Sequence, residues 1–296
     1  MARSRSSRST VWTTRQLLHW TGEFFRKKGL DNPRLRAEML LAHVLGVGRL
    51  RLYMDPDRPA SELERATFRE LVERAAQHEP VDYLVGHTPF FSLELKVTPD
   101  VLIPRPSTET LVEHVLQHAR RTPGFHTPVI ADVGTGSGAI AVALAKHLKT
   151  AHVIATDMSE AALAVARENA EAHGVSQRVE FVQGDLLEPL KGQRVQFLVS
   201  NPPYISDEEW EQVEPNVKQY EPASALRAGA DGLRYIRPLV AHARQYLHEP
   251  GQLVLEFAAS QKKQVLELAQ RADGLTNAHV LADHERLPRV LVADAE

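Results

Sequence analysis

Two groups of residues in this 296-residue chain have types and spacings suited to chemistry. The first is Asn201-Pro202-Pro203-Tyr204, which follows the apolar run Phe197-Leu198-Val199-Ser200. Such a run, bounded by polar and turn residues, reads as a buried strand. The prolines end it abruptly, because neither can donate to a sheet ladder. Each also drives the residue before it, Asn201 and then Pro202, into an extended conformation. The result is a stiff strand end carrying a side-chain amide, nearby carbonyls and an aromatic face. That set can grip a small planar group bearing an N–H2, with acceptors for its hydrogens and a ring for its face. A proline-rich turn around a packed tyrosine would use the same four residues, so the tetrapeptide alone decides little.

The second group lies upstream. Asp132-Val133-Gly134-Thr135-Gly136-Ser137-Gly138 is a glycine-rich turn between an apolar strand and a helix. Glycines there permit a tight turn and let a ligand approach the backbone. Asp157 closes the next predicted strand, about 20 residues beyond the turn, where a carboxylate can accept both hydroxyls of a ribose. Asp185 follows Gly184 at the end of a third strand. The turn also satisfies the loose dinucleotide pattern G-x-G-x-x-A through Ala139, so a nicotinamide dehydrogenase is a competing reading. Against it, an NAD fold has no use for a proline-locked strand end, and no Tyr/Lys or His/Asp pair with dehydrogenase spacing is present. The four features in this order point away from a purely structural role.

The elements that must position these residues are legible in outline. Residues 1–10 are mostly Ser and Arg and read as a disordered basic tail, without the apolar core of a secretory signal. Residues 11–79 read as a small helical bundle. Gly29 stops a first helix, Asn32-Pro33 caps and opens a second, and Ser61 with Glu64 forms a capping box for a third. Residues 80–104 read as a hairpin linker, with Phe91–Val97 alternating apolar and polar as one arm. A helix is expected from Thr108 to Arg120, carrying His114 and His118 four apart. Without a third ligand placed by sequence, that pair reads as a solvated face rather than a metal site.

From residue 105 to 296, predicted strands at Val129–Asp132, His152–Asp157, Val179–Gln183, Val195–Ser200, Leu253–Phe257, His279–Leu281 and Val290–Val292 alternate with helices. Repeated βα units imply an α/β domain with a doubly wound, mostly parallel sheet, whose ligands bind at the carboxyl ends of the strands. The bulk properties agree with an ordinary globular protein: 43% hydrophobic, 25% charged, net charge −3. That charge offers no global basic field for nucleic acid. The absence of cysteine removes thiol catalysis and disulfides. No apolar run approaches the ~20 residues needed to span a bilayer.

These residues carry a resemblance. The glycine turn, Asp157, Asp185 and the Asn-Pro-Pro-Tyr strand end resemble class I S-adenosylmethionine-dependent methyltransferases that modify planar nitrogens. More narrowly, the chain from about Trp12 onward resembles the release factor glutamine methyltransferase family, PrmC, also called HemK. Further matching segments are Glu79-Pro80 with Tyr83 and Gly86, Thr98-Pro99, Leu102 through Pro106, Thr108-Glu109, Glu221-Pro222, Ala225-Leu226, Gly229 and Asp231-Gly232-Leu233. The departures are Ser107, where the family usually has an acid, Gln196, where it often has aspartate, Leu186, an aromatic in some relatives, and His87-Thr88-Pro89.

The resemblance implies methyl transfer from S-adenosylmethionine to the side-chain amide nitrogen of the glutamine in a Gly-Gly-Gln loop of peptide-chain release factors. Its implied donor-binding residues are Asp132, Gly134, Thr135, Gly136, Ser137, Gly138, Asp157, Asp185, Leu186 and Asn201. The implied acceptor site is Asn201, Pro202, Pro203, Tyr204 and Arg105. Of these, Asn201 and the Pro202 carbonyl accept the amide hydrogens, and Tyr204 packs on the amide plane. No metal is implied. The bundle, with the hairpin, is expected to clamp the release factor, and the enzyme to be a cytoplasmic monomer without stable nucleic-acid binding. Three other readings are a glutamine methyltransferase of a large-subunit ribosomal protein, a nucleic-acid amino-methyltransferase, and a cofactor-binding protein without catalysis.

Overall fold

The computed structural model describes residues 11–123, 125 and 127–296 and divides into two units, the first ending at Gly86 and the second running from His87 to Glu296. The basic tail expected at residues 1–10 lies outside the described residues.

In the first unit, helix α1 (Thr14–Lys27) begins with a reciprocal capping box between Thr13 and Gln16. Helix α2 (Pro33–Leu45) differs from expectation at its start. Asn32 is left-handed, with φ 46°, and its side chain caps nothing; proline at the first helical position and Gly46 at the end set the limits. After the short α3 (Arg51–Met54), α4 (Glu62–Ala75) opens on the Ser61–Glu64 box. Glu64 also binds Arg58, and that hydrogen bond holds its carboxyl down at about 2. Helix α5 (Val81–Val85) contributes Val81, Leu84 and Val85 to the same core as Phe25, Leu40 and Phe68.

The second unit opens with an antiparallel hairpin, β1 (His87–Phe90) and β2 (Leu93–Lys96). Phe91 and Ser92, expected inside a strand, form its turn with φ of 46° and 62°. Two consecutive positive φ angles match the right-handed twist of a two-residue hairpin, normally built with Asn or Gly. Here Phe91 is held instead by its N–H donating to the Glu109 carboxylate, 2.7 Å away, and by its ring against His147.

Helix α6 (Glu109–Arg121) leads into β3 (Val129–Val133), α7 (Ala139–His147), β4 (His152–Asp157), α8 (Glu160–Ala172), β5 (Val179–Gln183) and β6 (Val195–Ser200). After two short helices, α9 (Asp207–Trp210) and α10 (Pro215–Tyr220), come α11 (Ile236–Tyr246), β7 (Leu247–Glu256), α12 (Lys262–Arg271), β8 (Leu275–Ala282) and β9 (Pro288–Ala295). The seven strands lie in the order β5-β4-β3-β6-β7-β9-β8, with β9 antiparallel to both its neighbours and the remaining pairs parallel. Helices cover both faces. Along β6, Phe197 and Val199 pack with α6 and α7, while Leu198 packs with α11 and α12. That alternation follows from the two-residue period of a strand. The chain leaves β3 toward β4 and leaves β6 toward β7, so the order reverses between β3 and β6. Their carboxyl ends form the crevice where such sheets bind ligands.

Candidate active site

The glycine turn leaves β3 at that reversal. The N–H groups of Gly134 and Thr135 both donate to the Thr156 carbonyl on β4, 2.8 and 2.9 Å away, which curls the loop over the adjoining strand end. Gly136 has φ +55°, and an added Cβ would meet nothing within 4 Å, because its face is open to a cavity. Gly138 has φ +80° and serves packing instead: a Cβ there would come within 3.0 Å of the Ala166 Cβ on α8. The two glycines thus do different things, one keeping space for a ligand and the other letting α7 and α8 close.

Asp157 ends β4. One oxygen accepts from Gly136 N–H and the other from Ser159 N–H, each at 2.9 Å. Each oxygen keeps a free lone pair, so a half-buried carboxylate is fixed with two acceptor positions toward the cavity. That cavity, about 310 Å³, is lined by Gly134, Gly136, Asp157, Asp185, Leu186 and Asn201, among others. Pro99–Leu102, Met158, Pro202, Pro203, Pro222 and Tyr235 add to its wall. A ribose-bearing ligand fits this arrangement: open backbone at Gly136, paired acceptors at Asp157, and apolar cover from Leu186 and the largely exposed Met158.

Several expected site residues support the loop rather than face the cavity. Asp132 is fully buried, and one oxygen accepts from the Thr135 hydroxyl at 2.7 Å and the Ala141 N–H at 3.1 Å. Ser137 offers its carbonyl to the Asn169 side chain at 2.9 Å. Burial pushes the Asp132 carboxyl from its ordinary 3.8 up to about 7. A carboxyl raised in this way favours the fold where it is protonated, and that contribution is lost as pH climbs from about 4 to about 7. In urea titrations across that range, the stability gap between wild type and Asp132→Asn should therefore move in the variant's favour. At about 1.4 kcal/mol for each pH unit of that window, the movement amounts to several kcal/mol. A gap independent of pH would contradict it.

Asn201 stands at the end of β6, beside the turn. The Ser200 hydroxyl fixes the two strand ends by donating to the Val133 carbonyl at 2.6 Å. The Asn201 side-chain nitrogen donates to the Thr108 hydroxyl at 3.0 Å, leaving its oxygen for other partners. Pro202 is buried and Pro203 half-buried, and both line the cavity.

Tyr204 and Arg105 are placed differently from expectation. Tyr204 does not line this cavity; its phenol is buried near the Glu256 carboxylate. Burial, reinforced by that carboxylate, pushes the phenol up to about 12. Tyr204 is instead gripped from behind: Gln261 donates to its carbonyl at 2.9 Å, and a Cβ on Gly232 would come within 2.3 Å of the same oxygen. The aromatic that does line the cavity is Tyr235, which carries no motif in the sequence to mark it. Arg105 pairs at 2.5 Å with Glu221, whose other oxygen accepts from the Ile103 N–H. Arg105 therefore ties the segment bearing Pro99–Leu102 to the loop bearing Pro222, two walls of the cavity.

His114 and His118 are half-buried rather than solvated. His114 bonds Gln252 at 3.0 Å, and His118 packs edge-on against Phe125 and Phe197. Burial pulls each imidazole below its ordinary 6.5. Among the described residues no cluster of His, Asp or Glu could hold a metal ion. Two departures from the expected pattern have structural uses: Ser107 donates to Glu256 at 3.2 Å, and Gln196 accepts from the Val129 N–H at 2.8 Å.

Comparison with known proteins follows the same division of the chain. Residues 16–86 match the PrmC N-terminal domain, and residues 106–219 the methyltransferase small domain. A release factor glutamine methyltransferase of Geobacter sulfurreducens is 42% identical over 281 residues, 95% of this chain and 96% of its own length. One of Rhodopirellula baltica is also 42% identical, over 96% of this chain and 98% of its own. Among solved structures, a methyltransferase from Pyrococcus furiosus is 18% identical and superposes with a TM-score of 0.50, covering 69% of this chain and 89% of that one. That last likeness is one of fold.

Proposed function

Because the chain belongs to the release factor glutamine methyltransferase family, we propose a division of labour for its site. The enzyme is an S-adenosylmethionine-dependent protein methyltransferase acting on the glutamine side-chain amide of release factors. When bound, S-adenosylmethionine supplies a methyl group already activated by its sulfonium. The chain's own task is therefore to hold the two partners in line, and orientation of that kind is worth about 7–11 kcal/mol at best.

Asp157 accepts the ribose hydroxyls, the Gly134–Gly136 backbone leaves room for the amino-acid end, and Leu186 with Met158 gives the base apolar cover. Asn201 then accepts one hydrogen of the substrate amide through its side-chain oxygen, and the Pro202 carbonyl accepts the other. A carboxamide nitrogen is a poor nucleophile because its lone pair is delocalised into the carbonyl. Two acceptors in the plane of the N–H2 turn that nitrogen's face toward the methyl group, stabilise the positive charge that develops on it, and pass its surplus proton on to solvent once the N–methyl bond has formed. The observation that carries this reading is the Asn201–Thr108 hydrogen bond, which ties down the amide nitrogen and leaves the oxygen to act as acceptor. The test is to offer purified release factor, large-subunit ribosomal protein and nucleic acid in parallel. Transfer confined to the release factor is expected; preference for either other acceptor would overturn the substrate assignment.

A glutamine at a loop tip offers too little surface to distinguish one protein from another. We assign that discrimination to the first unit, whose described residues carry no constellation suited to catalysis and display Trp20, Leu50, Met54 and Leu63 exposed to solvent. The truncation that tests this removes the chain through Gly86, since ending it at His78 would strand α5 from its core. The shortened enzyme should still bind S-adenosylhomocysteine. Its efficiency should fall at least about 100-fold further on intact release factor than on a short Gly-Gly-Gln peptide, the equivalent of roughly 2.7 kcal/mol of remote contacts. Equal losses on both substrates would mean that recognition is local to the loop. A cytoplasmic monomer completes the proposal, translation factors being cytoplasmic. Among the described residues no helix is long and apolar enough to cross a membrane.

A further inference from the structure

Two walls of the donor cavity come from parts of the chain that no sheet ladder joins. One is the glycine turn, through Gly134 and Gly136. The other is Pro99–Leu102, which follows the end of β2 at Lys96 after only Val97 and Thr98. β2 pairs with β1 alone, in a sheet separate from the one that carries the turn.

Asn169 on α8 connects them. It does not line the cavity, and it is 1% exposed. Its side-chain oxygen accepts from the Lys96 N–H at 2.7 Å, and its nitrogen donates to the Lys96 carbonyl at 3.0 Å and to the Ser137 carbonyl at 2.9 Å. Lys96 thus finds in one side chain the acceptor and the donor that a neighbouring strand would offer. The packing at Gly138 sets this reach, because Ala166, which closes against that glycine, lies three residues before Asn169 on the same face of α8.

These partners fix both the identity of the side chain and its orientation. Lys96 N–H requires an acceptor, and the two carbonyls each require a donor. A carboxamide supplies that set from one oxygen and one N–H2. Exchanging its ends would set donor against donor at Lys96 and oxygen against both carbonyls. Aspartate would keep the acceptor but turn its second oxygen toward two carbonyls. Leucine, similar in size, would leave all three backbone groups without this partner.

We propose that Asn169 is a positioning residue for the donor: from outside the cavity, it holds the glycine turn and the hairpin exit at the spacing that S-adenosylmethionine fits. This inference rests on the donor site assigned above.

The test sets Asn169→Leu and Asn169→Asp beside wild type, with thermal unfolding to show that each is folded. Calorimetry should find the S-adenosylhomocysteine dissociation constant raised about 10- to 100-fold in both, the scale on which supporting hydrogen bonds act at binding sites. In steady-state kinetics the KM for S-adenosylmethionine should rise to match, while kcat at saturating donor and the release-factor KM stay close to wild type. Mere loss of folded protein gives the reverse pattern, a lower kcat at unchanged donor KM. That pattern, or wild-type affinity in either folded variant, would overturn the proposal.

If neither variant folds, the wild-type enzyme decides. Lys96 does not line the cavity, so the donor reaches its amide through Asn169. Hydrogen exchange resolved to single residues should slow at the Lys96 N–H when S-adenosylhomocysteine is added. An unchanged rate there would refute the proposal. Wild-type affinity in Asp157→Ala would instead refute the donor site itself, so the two failures are distinguishable.

Discussion

Replacing Asn201 with alanine lowers kcat by about 10²–10³-fold, the usual cost of deleting one preorganised hydrogen-bonding group aimed at developing charge. Affinity for S-adenosylhomocysteine stays close to wild type, because Asp157 and the glycine turn, which hold the donor, are anchored by the Gly136, Ser159 and Thr156 backbone and not by Asn201. The release-factor KM changes little, since the Asn201 oxygen bonds most strongly once the amide nitrogen has begun to carry positive charge. Stability changes modestly, the loss being the one bond to Thr108. Steady-state kinetics with varied release factor, set beside calorimetry, checks all three. A variant with unchanged kcat and raised KM would reduce Asn201 to a binding contact.

Asp157→Ala has the opposite profile. The carboxylate is assigned two ribose hydroxyls, and hydrogen bonds to a charged group are worth roughly 1.5–3 kcal/mol each. It also fixes the Gly136 and Ser159 N–H groups at 2.9 Å, so its removal loosens the turn that the donor lies against. The dissociation constant for S-adenosylhomocysteine should therefore rise at least about 100-fold. Asp157→Asn is expected to be nearly as weak, because its N–H2 end must face one of two backbone donors. Calorimetry at a single pH suffices; affinity within a few-fold of wild type for both variants would remove Asp157 from the donor site.

Much of this site can be read in the sequence because its parts lie at strand ends. The strands His152–Asp157, Val179–Gln183 and Val195–Ser200 have the boundaries expected from their apolar runs and the turns that stop them. Local rules mislead where distant contacts override them. β7 begins at Leu247 rather than Leu253, since Glu249-Pro250-Gly251 reads as a breaker yet continues the strand. Phe91 and Ser92 alternate as a strand should, and the positive φ angles that make them a turn depend on Glu109 and His147, which are far along the chain. Helical spacing alone makes His118 look solvated, and only the fold brings Phe197 beneath it.

The same limit separates the residues of the site. Asp157 and Asn201 are identifiable because a carboxylate and an amide at neighbouring strand ends have evident uses. Tyr204 is not, because its aromatic ring suggests a pocket wall while the fold buries it near Glu256, at the end of β7. Arg105 and Glu221 each stand in a segment that matches the family, but nothing in the sequence shows that they pair.

The central claim, that Asn201 presents one glutamine amide for methyl transfer, is tested most directly by locating the methyl group. Intact release factor is incubated with the enzyme and methyl-labelled S-adenosylmethionine, then digested, and the label is mapped by fragmentation mass spectrometry. The account predicts one labelled position, the side-chain nitrogen of the glutamine in Gly-Gly-Gln, and loss of nearly all of that label with Asn201→Ala. Label on another residue, or undiminished labelling by the Asn201→Ala enzyme, would contradict it.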